Sequence, residues 1–231
     1  MVGILVSLGS ARAGEKTARE KVRYLRPTSS GTATECTFTI QRGPDGSSIR
    51  SVTERGKGRL VLTAHYDHKD HLTAAEVAWI MEEKEKKAKV VVAKGKARVR
   101  REGKEAQEFD VPPGVIVTSA PDWTDTFLLC RHYDRRKAGK QSFPGLWIHP
   151  VQDSQRLTFT IERTGSDTIE HEGKKVVLSR FLIRLRNNSG YAAWADEKGR
   201  MIKLHALPFR AGADQLVLEG YEKSAAKLRV P

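Results

Sequence analysis

The chain has 231 residues, 39% of them hydrophobic and 30% charged, a balance that fits a folded domain and excludes a wholly disordered chain. Its 41 Lys plus Arg against 28 Asp plus Glu give a net charge of +13, which favours anionic partners without bearing on fold. Two cysteines, Cys36 and Cys130, permit at most one intramolecular disulfide and cannot by themselves build a four-ligand zinc site.

Residues 1–10 are apolar and small, and Ala11-Arg12-Ala13 fits the small-x-small rule for signal-peptide cleavage. The expectation is a leader over 1–13 and export to a periplasmic or extracellular space; a buried N-terminal strand is the alternative. Residues 14–33 are charged, then polar and small, and read as a flexible segment leading into a single domain over 34–231. No later apolar run approaches the roughly 18–20 residues of a membrane helix, so no transmembrane helix is expected in the mature chain. In an exported protein the basic charge points to lipid headgroups or anionic envelope polymers, and nucleic acid is not expected as a partner.

From Cys36 onward a period of two dominates. Cys36, Phe38 and Ile40 share one face of a strand against Thr37, Thr39 and Gln41, and the pattern returns at Leu60, Leu62 and Ala64, at Leu157, Phe159 and Ile161, and at Phe181, Ile183 and Leu185. Glycine-bearing turns such as Arg55-Gly56-Lys57-Gly58 and Glu172-Gly173 separate these runs, which predicts an antiparallel meander of short strands. Residues 74–89 are ambiguous. Thr73-Ala74-Ala75-Glu76 resembles a capping box, yet Val77, Trp79 and Met81 alternate, which favours a hairpin over a helix. Ser119-Ala120-Pro121-Asp122 carries helix-start signals, and Trp123, Phe127 and Cys130 then recur at helical spacing, predicting a helix over 121–135.

Candidate chemistry is sparse. His65, His68 and His71 with Asp67 and Asp70 offer a metal-ligand composition, but on a continuing strand His65 and His68 point to opposite faces, so a solvated hairpin end is the better reading. Cys130 and His132 lie two apart on the predicted helix and face different ways, and no serine sits in a nucleophile-elbow pattern, so no catalytic residue is assigned and a hydrolase is only the third choice. Lys94, Lys96, Arg98 and Arg100 line one strand face as a candidate anion-binding row; a solvated, aggregation-resistant sheet edge is the competing account. Trp123, Phe127, Trp147 and Trp194 are candidate ligand-binding aromatics. No cofactor is called for.

The residues Val111-Pro112-Pro113-Gly114, Gly173-Lys174-Lys175-Val176 and the run from Tyr191 through Trp194-Ala195-Asp196 to Lys203 carry a resemblance over about 106–222. There the chain resembles a family of exported bacterial proteins of unknown function. The resemblance implies a β meander wrapped as an open or half-closed barrel, similar in shape to lipoprotein-carrier domains; the one short helix predicted from the spacing is expected to pack against it. It implies no catalytic residue. The expected role is non-catalytic binding of a hydrophobic or anionic envelope ligand such as a lipid, an acyl chain or a polysaccharide. The alternative is a structural or interaction protein with a filled core and a basic surface.

Overall fold

The computed structural model describes residues 18–28, 31–119, 123–185, 190–207 and 215–229, so the expected leader over 1–13 lies outside the described residues. Strands β1 (Ala18–Thr28), β2 (Gly31–Gly43), β3 (Gly46–Arg55), β4 (Gly58–Tyr66), β5 (Leu72–Met81), β6 (Lys84–Ala93), β7 (Lys96–Arg101) and β8 (Gln107–Asp110) pair in sequence as an antiparallel meander. The second half is β9 (Ile116–Thr118), helix α1 (Thr124–His132), β10 (Lys140–Trp147), β11 (Gln155–His171), β12 (Lys174–Arg184), β13 (Gly190–Ala195), β14 (Met201–Leu207), β15 (Gln215–Leu218) and helix α2 (Glu222–Ala225). Its strands continue the same sheet from the other side of β1, through β15, to the far edge at β9. The protein is therefore mainly β, as expected, with both halves of the meander meeting where β1 pairs β15.

One pairing departs from the antiparallel rule. β9 and β10 run parallel, Gly145 opposite Ile116, because α1 lies between them as a crossover, the connection parallel strands require. The crossover carries α1 onto the concave face, and every residue from Thr124 to Cys130 is buried there. A nine-residue helix buried on nearly all sides acts as a plug. Phe127 stacks on Phe38 of β2 with ring centroids 4.6 Å apart, Tyr133 meets Phe181 of β12 edge-on at 5.0 Å, and Trp123 meets Tyr191 of β13 at 5.5 Å. Asp125 stays in the first turn, where an acid complements the helix dipole, and its Oδ2 accepts the Thr118 hydroxyl at 3.1 Å.

Among the described strands the sheet does not close on itself. Its edges, β8 and β9, are consecutive in sequence, and side chains rather than a backbone ladder tie β8 to the loop after β10. Arg101, at the inner end of β7, reaches Asp153 Oδ1 at 2.5 Å, and Gln107 Oε1 accepts the Ser154 amide at 3.0 Å.

Two expectations are corrected, and the hairpin favoured over 74–89 is present. Residues 14–33 are not a loose lead-in throughout, because β1 starts at Ala18 and pairs with β2 over its whole length; Val22 and Tyr24 are buried while Arg19, Lys21 and Arg23 face out. The predicted helix over 121–135 is the shorter α1, and its chain leaves helical geometry at Tyr133; residues 120–122 lie outside the described residues. The ambiguous stretch 74–89 forms the β5–β6 hairpin, since Val77 and Ala88 are needed in the core. Cys36 and Cys130 are buried thiols rather than a disulfide.

Candidate functional site

At one end of the sheet the strand termini, the C-terminal turn of α1 and the β13–β14 turn enclose a cleft of about 1100 Å³. The first wall comes from alternation along β11 and β12: Lys175, Val177 and Ser179 share the face of Phe181 and Ile183, and Arg163 sits opposite Phe181. Beyond the reach of α1 that inward face is no longer covered. Val177 is left 60% exposed, lining the cleft with Arg163 and Lys175.

The second wall is α1, whose last turn and exit supply Arg131 and Arg135. Arg131 lies over the Phe127 ring, its guanidinium carbon 4.3 Å from the centroid, and donates to both carboxylate oxygens of Glu20 at 3.4 Å. Glu20 also faces Arg42 at 3.9 Å. The Arg131 guanidinium is thus oriented by an aromatic face and a carboxylate.

The third wall is the tight turn Asp196–Gly199. Asp196 Oδ1 accepts the amides of Lys198 and Arg200 at 3.0 and 2.9 Å, and its Oδ2 accepts Arg200 Nε at 3.1 Å. The Asp196 carbonyl accepts from Arg135. Gly199 has φ +73°, and a Cβ there would lie 2.7 Å from the Cys130 carbonyl oxygen. Only glycine lets this turn sit against the end of α1. The Arg200 guanidinium also donates to the Tyr221 hydroxyl at 3.3 Å.

Among the described residues, seven cationic side chains line the cleft against the three carboxylates Glu20, Asp196 and Glu197. Two of those carboxylates are already engaged by arginines, so the space itself is cationic, a setting that suits an anion.

The candidate residues from sequence do not gather here. Trp123 and Phe127 are 4% and 0% exposed and belong to the packed interface between α1 and the concave face. Trp194 lies on the opposite face of β13, beside Lys203, and its Nε1 donates to Asp167 Oδ2 at 2.9 Å. Trp147 is half-buried and stacks on His149 with centroids 5.2 Å apart. The cations Lys94, Lys96, Arg98 and Arg100 are all exposed, on β7 and the turn before it. Acids face this outer sheet surface: Arg98 lies 3.7 Å from Glu108, and next along the sheet Lys89 meets Glu76 at 2.9 Å.

His65 and His68 are exposed. Asp67 Oδ1 closes the turn by accepting the amides of Lys69 and His71, and its Oδ2 stands 3.5 Å from His71 Nδ1. Those backbone bonds hold the Asp67 carboxyl below its ordinary range. Among the described residues no cluster of His, Cys, Asp and Glu is arranged to hold a metal. Burial pushes the Cys130 thiol up to about 12, which keeps it protonated and unreactive.

Arg131 and Arg135 fall at the end of the helix predicted over 121–135, and Lys175 and Arg200 within the runs 173–176 and 191–203 that carry the family resemblance. Arg42 and Arg163 gave no sequence signal, since only the register of distant strands brings them to one end.

No protein-family model and no curated protein matches the sequence. Among solved structures, a DUF1089 family protein from Pseudomonas aeruginosa is similar over 74% of this chain and 89% of its own, at 14% identity and a TM-score of 0.47. A beta-barrel-like protein of the domain of unknown function DUF1849 from Brucella abortus is similar over 87% of this chain and 94% of its own, at 10% identity and a TM-score of 0.51. The second likeness is one of fold: the open, helix-plugged sheet is of the beta-barrel-like kind.

Proposed function

We propose that the protein is an exported, non-catalytic module that binds an anionic envelope ligand in the basic cleft. The observation that carries this reading is the convergence, among the described residues, of seven cationic side chains from β2, α1 and its exit, β11, β12 and the β13–β14 turn on one space of about 1100 Å³. Arg131 and Arg200 are already oriented by Glu20 and Asp196, so little side-chain freedom is lost when an anion arrives. The acyl-chain version of the expected role draws no such support, because α1 occupies the concave apolar face. No described helix is long and apolar enough to cross a membrane, and the leader expected over 1–13 supports export.

The test is calorimetric titration of the full chain with inorganic phosphate at low salt. Saturable binding that weakens with ionic strength and is lost in the Arg131→Gln, Arg200→Gln double variant supports the reading. Equal heats in the wild type and the variant would sink it. A second reading, an interaction protein with a filled core, is favoured by the packing of Trp123 and Phe127 in the interior, and it is what remains if no anion binds.

A further inference from the structure

Behind the basic cleft lies a smaller chamber of about 200 Å³. Its inner wall is apolar: Ile40 of β2, Ile49 of β3, the ring of Tyr66 and Leu128 of α1 are all buried residues. Asp70 and His132 stand on its polar rim with Ser47. Arg42 and Arg131 line both spaces, and both are engaged by Glu20. The two arginines therefore stand at the junction, with their cationic ends available to an anion in the cleft and the chamber directly behind them.

We infer that the ligand is an anion joined directly to a compact apolar group, the anion bridging Arg42 and Arg131 and the apolar group entering the chamber against Ile40, Ile49 and Leu128. This rests on the anion-binding reading of the cleft and adds the ligand's second half. An enclosed apolar cavity of about 150 Å³ is enough for one benzene ring. The chamber, open at its polar rim, has room for an aromatic ring or a short branched alkyl group against its apolar wall and none for a long acyl chain. Burial against the chamber wall adds a hydrophobic increment that a bare anion cannot draw on. The rim groups Asp70 and His132 leave the mouth polar, which suits a ligand whose charge stays at the junction.

Calorimetry of the full chain with phenyl phosphate and with inorganic phosphate tests this directly. Phenyl phosphate is expected to bind about tenfold more tightly, the increment of a partly buried ring. Ser47→Trp fills the rim from the strand position paired with Arg42, so its effect is read as the ratio of the two affinities in the same variant, and the preference for phenyl phosphate is expected to vanish. Ser47→Leu is the milder second variant, and a melting temperature within about 2 °C of the wild type shows that either one is folded. If the two anions bind alike in the wild type, or the preference survives both Ser47 variants, the chamber inference is overturned while the anion-binding reading stands. If neither anion binds, both fall.

Discussion

At the residue scale the cleft depends on carboxylates that hold arginines without neutralising the whole site. Glu20 is the clearest case, facing Arg131 at 3.4 Å and Arg42 at 3.9 Å. It orients both side chains and also competes with an incoming anion for them. Its carboxylate is 39% exposed, so the pair contributes little to stability. Glu20→Gln is therefore expected to leave the melting temperature within about 2 °C of the wild type and to tighten phosphate binding about three- to tenfold, as one competing charge is removed. Weaker binding in that variant, measured by the same titration, would show that orientation matters more than competition.

His205, buried on β14, gives a pH signature. Burial, and then the neighbouring Lys203, hold its imidazole below the ordinary 6.5. The folded chain keeps it neutral where the unfolded chain takes up a proton. Its contribution is intact above about pH 6.5 and is lost as pH falls from there through the depressed folded value. Melting temperature is expected to drop between pH 7 and 5. His205→Gln should flatten that slope, leaving the same-signed shares of His132, lowered chiefly by burial, and His149, lowered by burial and then by Arg101.

At the element scale, the β13–β14 turn and α1 act as one unit. Gly199→Ala forces an L residue into φ +73° and sets a methyl group 2.7 Å from the Cys130 carbonyl. Strain at such a position costs about 1–3 kcal/mol, and relief requires the turn to move off the helix. Because Arg135 donates to Asp196 and Arg200 is held by it, that movement also disperses the cations. The expected result is a lower melting temperature together with weaker phosphate binding, whereas Gly103→Ala, with open space around its Cβ, carries only the strain. Unchanged binding in Gly199→Ala would separate the turn from the site.

The elements themselves were largely legible. Phe38, Ile40, Leu60, Leu62, Phe159, Ile161, Phe181 and Ile183 alternate in sequence and are buried in the sheet. β1 was missed because its alternating partners are Arg19, Lys21 and Arg23, whose charge disguises a strand whose inward residues are Val22 and Tyr24. The site was legible only in pieces. Arg163 and Lys175 reach the cleft through the pairing of β11 with β12, which includes a shift between Arg163 and Gly165. That is a property of register between strands, and nothing local in the sequence reports it. Trp123 and Phe127 lie in the interior because α1 crosses inside the sheet and packs them there, while Trp147 and Trp194 lie away from the cleft.

At the scale of the whole molecule, the net charge of +13 is distributed rather than uniform. On the outer face of β5–β8, Arg98 of the row suggested by the sequence lies 3.7 Å from Glu108, and on neighbouring β6 Lys89 and Lys87 meet Glu76 and Glu85 at 2.9 and 2.8 Å. Among the described residues of the cleft, cations outnumber acids, and Arg131 and Arg200 are part-buried there, where interactions are screened less than on an open surface. Two variants with the same net charge separate these contributions. Lys96→Gln with Arg100→Gln removes two exposed cations from β7, and Arg131→Gln with Arg200→Gln removes two from the cleft. Long-range steering depends on total charge and falls equally in both. Local recognition of a compact anion does not: the cleft pair is expected to lose at least about tenfold in phosphate affinity and the β7 pair less than about twofold, since a charge-assisted hydrogen bond contributes on the order of 1.5–3 kcal/mol. Measured at 20 mM and 200 mM salt, the β7 variant should keep the wild-type salt dependence and the cleft variant should lose it. The reverse ranking would move the anion site from the cleft to the outer sheet face.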